Sequence, residues 1–259
     1  MPEAVSAALP TLATAVVIGA RGGLGGALVD ALRAGGQYRY VLALSRSETV
    51  TSVTIPADRA GASQRIDAHI DLLDEASIAG AAAQCPALPA VRLVIVASGL
   101  LHAADGLRPE KALSGLKAES LSRLFAVNAI GPALVAKHFL PRMPREGRVV
   151  FAAISARVGS ISDNRLGGWY GYRASKAALH MLLRSAAIEW SRTARESVCV
   201  GLHPGTVDTA LSRPFQGSVA EGKLLTPQQS AAHLLQVLEG LGPAQTGRVF
   251  AWDGSEVPA

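Results

Sequence analysis

A glycine-rich turn constrains the fold of this chain more than any other feature. Residues 15–18 are an apolar run rich in β-branched side chains, and they lead directly into Gly19-Ala20-Arg21-Gly22-Gly23-Leu24-Gly25-Gly26. Residues 24–34 then carry the apolar spacing of an amphipathic helix. A strand, a glycine turn and a helix in this order let backbone N–H groups and the helix N-terminus approach a pyrophosphate closely. The spacing Gly-x-x-x-Gly-x-Gly differs from the commoner Gly-x-Gly-x-x-Gly, and a tight turn that merely packs a helix on a sheet is the simpler alternative. The position straight after the first strand favours a nucleotide.

Beyond the turn, short apolar runs alternate with longer amphipathic ones, as in a parallel sheet covered by helices. Strands are predicted at 15–18, 40–44, 65–70, 91–97, 148–153, 198–203 and 248–251, and helices at 24–34, 75–84, 120–140, 172–193 and 227–238. This pattern predicts an α/β fold: a Rossmann-type, doubly wound, mostly parallel seven-stranded sheet with helices on both faces. Two stretches break the rhythm. Residues 47–64 contain Pro56 and Gly61 and predict an irregular connection. Residues 206–226, with Pro214, Gly217 and Gly222, predict a long loop beside a strand end, the kind that often serves as a lid.

The chain has 259 residues, 49% of them hydrophobic, which suits one domain spanning 1–259. Cys85 and Cys199 are too few for a disulfide framework and imply no metal site, so a reducing compartment is expected. The first residues lack the basic start of a secretory signal, and no run reaches the roughly 18 apolar residues of a membrane span. These features predict a cytoplasmic protein with no membrane partner. The formal net charge is +5, but the arginines are scattered singly and no aromatic cluster could stack bases, which argues against nucleic acid.

If the turn holds a dinucleotide, the end of the second strand approaches its adenosine ribose. There the chain reads Leu44-Ser45-Arg46, with no acidic residue before Glu48. An Asp or Glu would accept from a ribose 2′-hydroxyl, whereas Ser45 and Arg46 suit a 2′-phosphate, so NADP is expected over NAD. Arg21 would add a second cation, and a solvated surface charge is the alternative for Arg46. Asp71 could take the adenine amino group, or simply cap a helix ahead of Leu72.

Residues 167–179 carry the candidate chemistry. If the segment from Tyr172 is helical, Tyr172 and Lys176 lie one turn apart on the same face. An ammonium about 4 Å from a phenol favours the phenolate by up to roughly 4 kcal/mol at an effective dielectric near 20, enough to bring its pKa from about 10 toward neutrality. Such a phenol can exchange a proton with a carbonyl or alcohol oxygen. Chance would supply about 0.08 such pairs in a chain of this composition, so the pair is suggestive but needs support.

That support is a series of ordered motifs. They are Gly19-Ala20-Arg21-Gly22-Gly23-Leu24-Gly25, Asp71-Leu72, Val96-Ala97-Ser98-Gly99, Val127-Asn128-Ala129, Ile154-Ser155, Tyr172-Arg173-Ala174-Ser175-Lys176 and His203-Pro204-Gly205-Thr206-Val207-Asp208-Thr209. With them the chain resembles the short-chain dehydrogenase/reductase family nearly end to end. Arg157-Val158-Gly159-Ser160-Ile161 and Phe250-Ala251-Trp252-Asp253-Gly254 resemble the branch that contains the bacterial C-factor and sniffer-type carbonyl reductases. The resemblance implies hydride transfer between the cofactor and a small carbonyl or alcohol substrate, in a homodimer or homotetramer. Tyr172 is implied as general acid/base, Lys176 as the ligand of the nicotinamide ribose and depressor of the tyrosine pKa, and Ser155 as the holder of the substrate oxygen. Asn128 is implied to anchor a relay water; bridging two elements is its alternative role. Gly19, Arg21, Gly22, Gly23, Leu24, Gly25, Ser45, Arg46, Asp71, Leu72, Ala97, Ser98 and Gly99 would surround the dinucleotide with Asn128, Tyr172 and Lys176, while Pro204, Gly205, Val207 and Thr209 cover the nicotinamide.

The chain departs from the family pattern in three places. Ala97-Ser98 replaces the Asn-Ala that usually precedes this glycine. Many members read Ile-Ser-Ser with the second serine catalytic, and that position here is Ala156, so Ser155 is expected to serve, with Ser160 a weaker candidate. No charged cluster in 206–226 names a substrate; Leu211, Phe215, Leu224 and Leu225 suggest an apolar one, or pack the loop down. The competing function is a dinucleotide-binding signalling protein with little turnover.

Overall fold

The computed structural model describes residues 13–47 and 62–259. Most of the predicted irregular connection at 47–64 therefore lies outside the described residues. Seven strands form one parallel sheet: β1 (Thr14–Ile18), β2 (Tyr40–Ser45), β3 (Gln64–His69), β4 (Val91–Val96), β5 (Val149–Ile154), β6 (Ser197–His203) and β9 (Val249–Ala251). Their order across the sheet is β3-β2-β1-β4-β5-β6-β9, and a separate short pair is made by β7 (Thr206–Val207) and β8 (Leu224–Leu225). The helices are α1 (Gly23–Gly35), α2 (Glu75–Ala83), α3 (Ala118–Phe125), α4 (Gly131–Phe139), α5 (Tyr170–Trp190) and α6 (Pro227–Gly240).

Every residue of β1 and β2 is buried, because helices cover both faces and leave no solvent side on which polar residues could alternate. On one face Leu42, Leu44, Phe139, Phe151, Leu179, Leu183 and Trp190 build a core beneath α2, α4 and α5. On the other, Val17, Leu28, Val29, Ile95, Leu202, Leu234 and Leu238 build a second core beneath α1 and α6. The strand order reverses between β1 and β4, so the crevice at their carboxyl ends is the topological switch point where open α/β sheets bind ligands.

Local chemistry fixes the helix ends. Gly36, at φ +66°, closes α1, and Thr226 with Gln229 forms a reciprocal capping box ahead of Pro227 in α6. The predicted helix at 120–140 is continuous but not uniform: Ala126–Ile130 is a π-helical turn in which Gly131 N–H reaches back to Ala126 O. Pro132 follows, and a proline lacks the N–H and crowds the carbonyl four residues earlier, so the wider turn accommodates it. No apolar run in Ala118–Arg142 reaches 18 residues, yet by length and mean hydropathy this helix could cross a bilayer. Here Leu124, Ala129, Val135 and Phe139 are buried in the protein interior instead.

Candidate active site

The glycine turn sits at the carboxyl ends of β1 and β2. Gly19 and Ala20 donate to Leu44 O at 2.9 and 3.1 Å, which places the turn beside Ser45 and Arg46. Gly19 has φ +87°, and a Cβ on it would stand 2.7 Å from Ser98 Oγ. A Cβ on Gly25 would stand 2.1 Å from Gly19 O, so this position excludes any side chain. No side chain caps α1 and no acidic residue occupies its first turn, which leaves its positive end available to an anion. Leu24 points into the core under α1 and serves by packing. Ser45 is buried with its Oγ 3.4 Å from Ser47 Oγ, while Arg46 is exposed. Arg21 is exposed as well.

Beyond β2, at the end of β3, Asp71 Oδ1 accepts from Leu73 N–H at 3.0 Å, and the cap of α2 is Asp74, which accepts from Ala76 N–H. The helix-cap alternative for Asp71 is thereby removed. Leu72 packs against α4, where a Cβ on Gly131 would come within 3.0 Å of Leu72 Cβ. Ala97 N–H bonds to Ile18 O at 2.7 Å, and Ser98 and Gly99 continue from it into the crevice. On the far side, Gly205 adopts φ +76° beneath Trp252, and Pro204 O accepts from Ser230 Oγ at 2.8 Å. Val207 is buried, and Thr209 reaches the glycine turn: a Cβ on Gly23 would meet Thr209 Cγ2 at 2.8 Å.

Tyr172, Lys176 and Asn128 meet at the carboxyl ends of β4 and β5. Both Tyr172 and Lys176 are buried on α5, and Lys176 Nζ donates to Ile154 O at 2.8 Å and lies 5.8 Å from the centroid of the Tyr172 ring. A Cβ on Gly99 would lie 3.8 Å from Asn128 Oδ1 and 3.9 Å from Lys176 Nζ, so the three groups converge on one spot. Asn128, wholly buried in the π turn, accepts from Leu100 N–H at 2.8 Å and donates to Leu100 O at 2.8 Å and Ser175 Oγ at 3.1 Å. Both of its amide protons are used, so it bridges the helix to the β4 loop; one lone pair of Oδ1 is left for a water.

Two sequence expectations need correction here. Burial pushes the Tyr172 phenol up to about 12 and Lys176 down to about 8. In the ligand-free protein desolvation outweighs any pull of the lysine on the phenol, because Lys176 Nζ is itself buried, is engaged by Ile154 O and lies 5.8 Å from the ring centroid. Ser155 does not fit the role of holding a substrate oxygen. It is 2% exposed, and its Oγ lies 2.6 Å from His180 Nε2. Ala156 is extended at φ −152°, ψ 144°, so consecutive side chains here point to opposite sides. It is Ala156 that joins the apolar cluster around Tyr172. Ser160 is also occupied, accepting from Asp163 N–H at 3.1 Å.

The segment 206–226 folds back over this cluster. Leu211 and Phe215 join Leu101, Leu107, Leu124, Ala156, Trp169 and Tyr172, Leu225 is buried and Leu224 stays exposed. Three site residues escaped the sequence reading. His102 Nε2 lies 3.1 Å from both Ala210 O and Leu211 O and joins the β4 loop to this segment. Glu110 is buried and accepts from Gly171 N–H at 3.1 Å, holding the start of α5, which no side chain of its own caps. Trp169 is the only non-glycine residue with positive φ among those described, at φ 52° and ψ 40°. That conformation costs about 1–2 kcal/mol in a residue with a Cβ. The doublet Gly167-Gly168 is the one sequence signal that marked this turn; nothing near His102 or Glu110 signalled their roles.

The family model for the short chain dehydrogenases matches residues 13–218. The C-signal protein of Myxococcus xanthus is 36% identical over 147 residues, covering 57% of this chain and 83% of that protein. The 1-hydroxy-2-glutathionyl-2-methyl-3-butene dehydrogenase of a Rhodococcus strain is 30% identical over 199 residues, covering 77% and 82%. Among solved structures, the NADPH-bound carbonyl reductase from chicken fatty liver superposes with a TM-score of 0.79 at 24% identity, covering 95% of this chain and 94% of that one. With the glycine turn at the switch point and Tyr172 and Lys176 beside it, this chain belongs to the short-chain dehydrogenase family of oxidoreductases, whose fold binds a nicotinamide dinucleotide.

Proposed function

We propose that this chain is an NADP-dependent carbonyl reductase that reduces an apolar ketone or aldehyde, with Tyr172 as the proton donor. The observation that carries this reading is the convergence of Tyr172, Lys176, Asn128 and Gly99 beside a glycine cradle that no side chain can enter. The residues fit the dinucleotide: Gly19 and Gly25 let the turn pack tightly on itself and against Ser98, the start of α1 that follows is uncapped and open to a pyrophosphate, and exposed Arg46 stands at the end of β2 where a 2′-phosphate would lie. Arg46 favours NADP over NAD, as does the likeness to an NADPH-bound reductase.

The nicotinamide supplies the hydride, and the chain's own residues supply orientation and the proton. A phenol pushed up to about 12 stays protonated across the neutral range, so Tyr172 holds the proton that a reduced carbonyl oxygen must receive. Lys176, held by Ile154 O one helical turn along α5 from Tyr172, sets a cationic group beside the phenol. Asn128 keeps Gly99 and Leu100 in register with α5. The apolar wall formed by Leu101, Ala156, Trp169, Leu211 and Phe215 excludes water and suits an uncharged substrate.

A second reading is favoured by Ala156: without a serine hydroxyl opposite Tyr172, the chain would bind a dinucleotide and signal with little turnover, as its 36% identity with a C-signal protein permits. A panel of carbonyl compounds with NADPH, run beside Tyr172→Phe, separates the two. Reduction that disappears in the variant supports the enzyme; tight dinucleotide binding with no turnover across the panel supports the second reading. The same proposal places the protein in the cytoplasm, where Cys85 and Cys199 stay free, as a homodimer or homotetramer. Met181 and Ile188 remain exposed on α5, and native mass spectrometry tests the assembly.

A further inference from the structure

The only left-handed non-glycine residue among those described stands three positions before the proposed proton donor, and its surroundings hold it there. Gly167 and Gly168, at φ +62° and +64°, let the chain enter the turn. Trp169 N–H donates to Glu110 O at 2.5 Å, and the same residue's carboxylate takes Gly171 N–H. Arg173 Nε donates to Gly167 O at 3.2 Å and Gly168 O at 3.0 Å, and its Nη1 reaches Val158 O at 3.3 Å. A conformation so disfavoured and so thoroughly braced points to use of the side chain it displays.

That side chain is an indole set edge-to-face against Phe215, with ring centroids 5.0 Å apart, and against Tyr172, at 6.2 Å. Phe215 in turn meets His102 edge-on at 5.7 Å, and His102 is tied to the backbone of Ala210 and Leu211. Trp169, Phe215, Leu211, Ala156 and Val158 are all only partly buried, so apolar surface around Tyr172 remains open to a ligand. Aromatic walls at an angle to one another favour a flat ring, whose edges and faces can each find a partner, over a puckered ring of the same size.

We propose that Trp169, with Phe215, is a specificity-determining residue that forms an aromatic slot for the aryl group of an aryl ketone or aldehyde, whose carbonyl then meets Tyr172. This rests on the carbonyl reductase reading of the same site. Glu110 and Arg173 act as positioning residues that hold the slot in shape.

The test compares acetophenone with cyclohexyl methyl ketone, which have the same skeleton but differ in planarity, using the full chain with NADPH. The ratio of kcat/KM for the two, compared between variants, cancels their intrinsic difference in reactivity. Trp169→Leu is expected to lower the aryl-to-cyclohexyl ratio by about two- to tenfold through KM, with Trp169→Phe retaining most of it. Should Trp169→Leu fail to fold, Phe215→Leu is expected to lower the same ratio. An unchanged ratio in a folded Trp169→Leu or Phe215→Leu protein overturns the slot. If the unaltered protein turns over neither ketone, the carbonyl reductase reading fails for these substrates, and saturation-transfer NMR with NADP present decides the slot separately. Stronger transfer to acetophenone than to the cyclohexyl ketone, lost in Trp169→Leu, supports it; equal transfer to both overturns it.

Discussion

Replacing Ala156 with serine is expected to make this protein a faster reductase. Ala156 is extended, half-buried and part of the apolar cluster that contains Tyr172. A hydroxyl added to its Cβ therefore faces the substrate space and not the core under α5. A serine there can donate to the carbonyl oxygen as that oxygen gains charge, and a hydrogen bond to a charged acceptor is worth about 1.5–3 kcal/mol. Expressed only in the transition state, this is roughly a 10- to 150-fold gain in kcat. The cost to the resting protein is small, because a half-buried hydroxyl can still reach water; about 1 kcal/mol at most would lower Tm by about 2–4 °C. The assay is NADPH oxidation with a carbonyl substrate that the unaltered protein reduces measurably, alongside thermal melting. Unchanged or lower kcat in a protein that melts normally would refute the placement of the missing donor at Ala156. The companion variant Ser155→Ala breaks the bond to His180, and should lower stability by about 1–3 kcal/mol while leaving kcat within about threefold. A collapse of turnover in Ser155→Ala would return the role to that serine.

Arg46→Ala is expected to weaken NADPH by about 10- to 150-fold, the worth of a charge-assisted hydrogen bond, and NADH by far less; equal losses in binding titrations would sink the 2′-phosphate assignment. The stability of the ligand-free protein should rise between pH 8 and 9, because Lys176 titrates at about 8 when folded and near 10.5 when unfolded, so the unfolded chain binds more protons in that window. From pH 9 upward the raised thiols of Cys85 and Cys199 oppose this, joined above pH 10 by the raised phenols of Tyr38 and Tyr172, and in Lys176→Met the rise should vanish from chemical denaturation curves. Burial holds His180 and His203 at about 4, so the stability they contribute is present above pH 6.5 and is lost as the pH falls through about 4. A flat stability profile from pH 6.5 to 4 would contradict the buried, neutral state of both rings.

The sheet is legible because its central strands are buried on both faces and read as nearly unbroken apolar runs, whereas the edge strand β3 alternates buried and half-buried residues; all seven predicted strands lie within one or two residues of their observed ends. The glycine turn was legible because backbone contact, as between Gly25 and Gly19 O, leaves the sequence no choice of residue. The π turn was hidden because 3.6-residue periodicity does not register a single widened turn, although Gly131-Pro132 inside an apolar helix marked its place. The sequence points to Ser155 by its type and neighbours, whereas the decisive fact is the direction its side chain takes on leaving β5, and that alternates with each residue. The electrostatics of Tyr172 and Lys176 depended on burial that spacing does not reveal: an i,i+4 pair drawn in isolation omits the desolvation that raises the phenol and lowers the ammonium. His102, Glu110 and Trp169 owe their roles to contacts between distant loops, which carry no periodicity to detect.

The most direct test of the central claim is single-turnover reduction of a ketone by NADPH in the unaltered protein, Tyr172→Phe and Lys176→Met, with dinucleotide binding measured on the same samples. Tyr172→Phe is expected to bind NADPH still but to lose reduction by about two orders of magnitude or more, about what a positioned general acid contributes. Reduction that persists at the unaltered rate in Tyr172→Phe would contradict that claim.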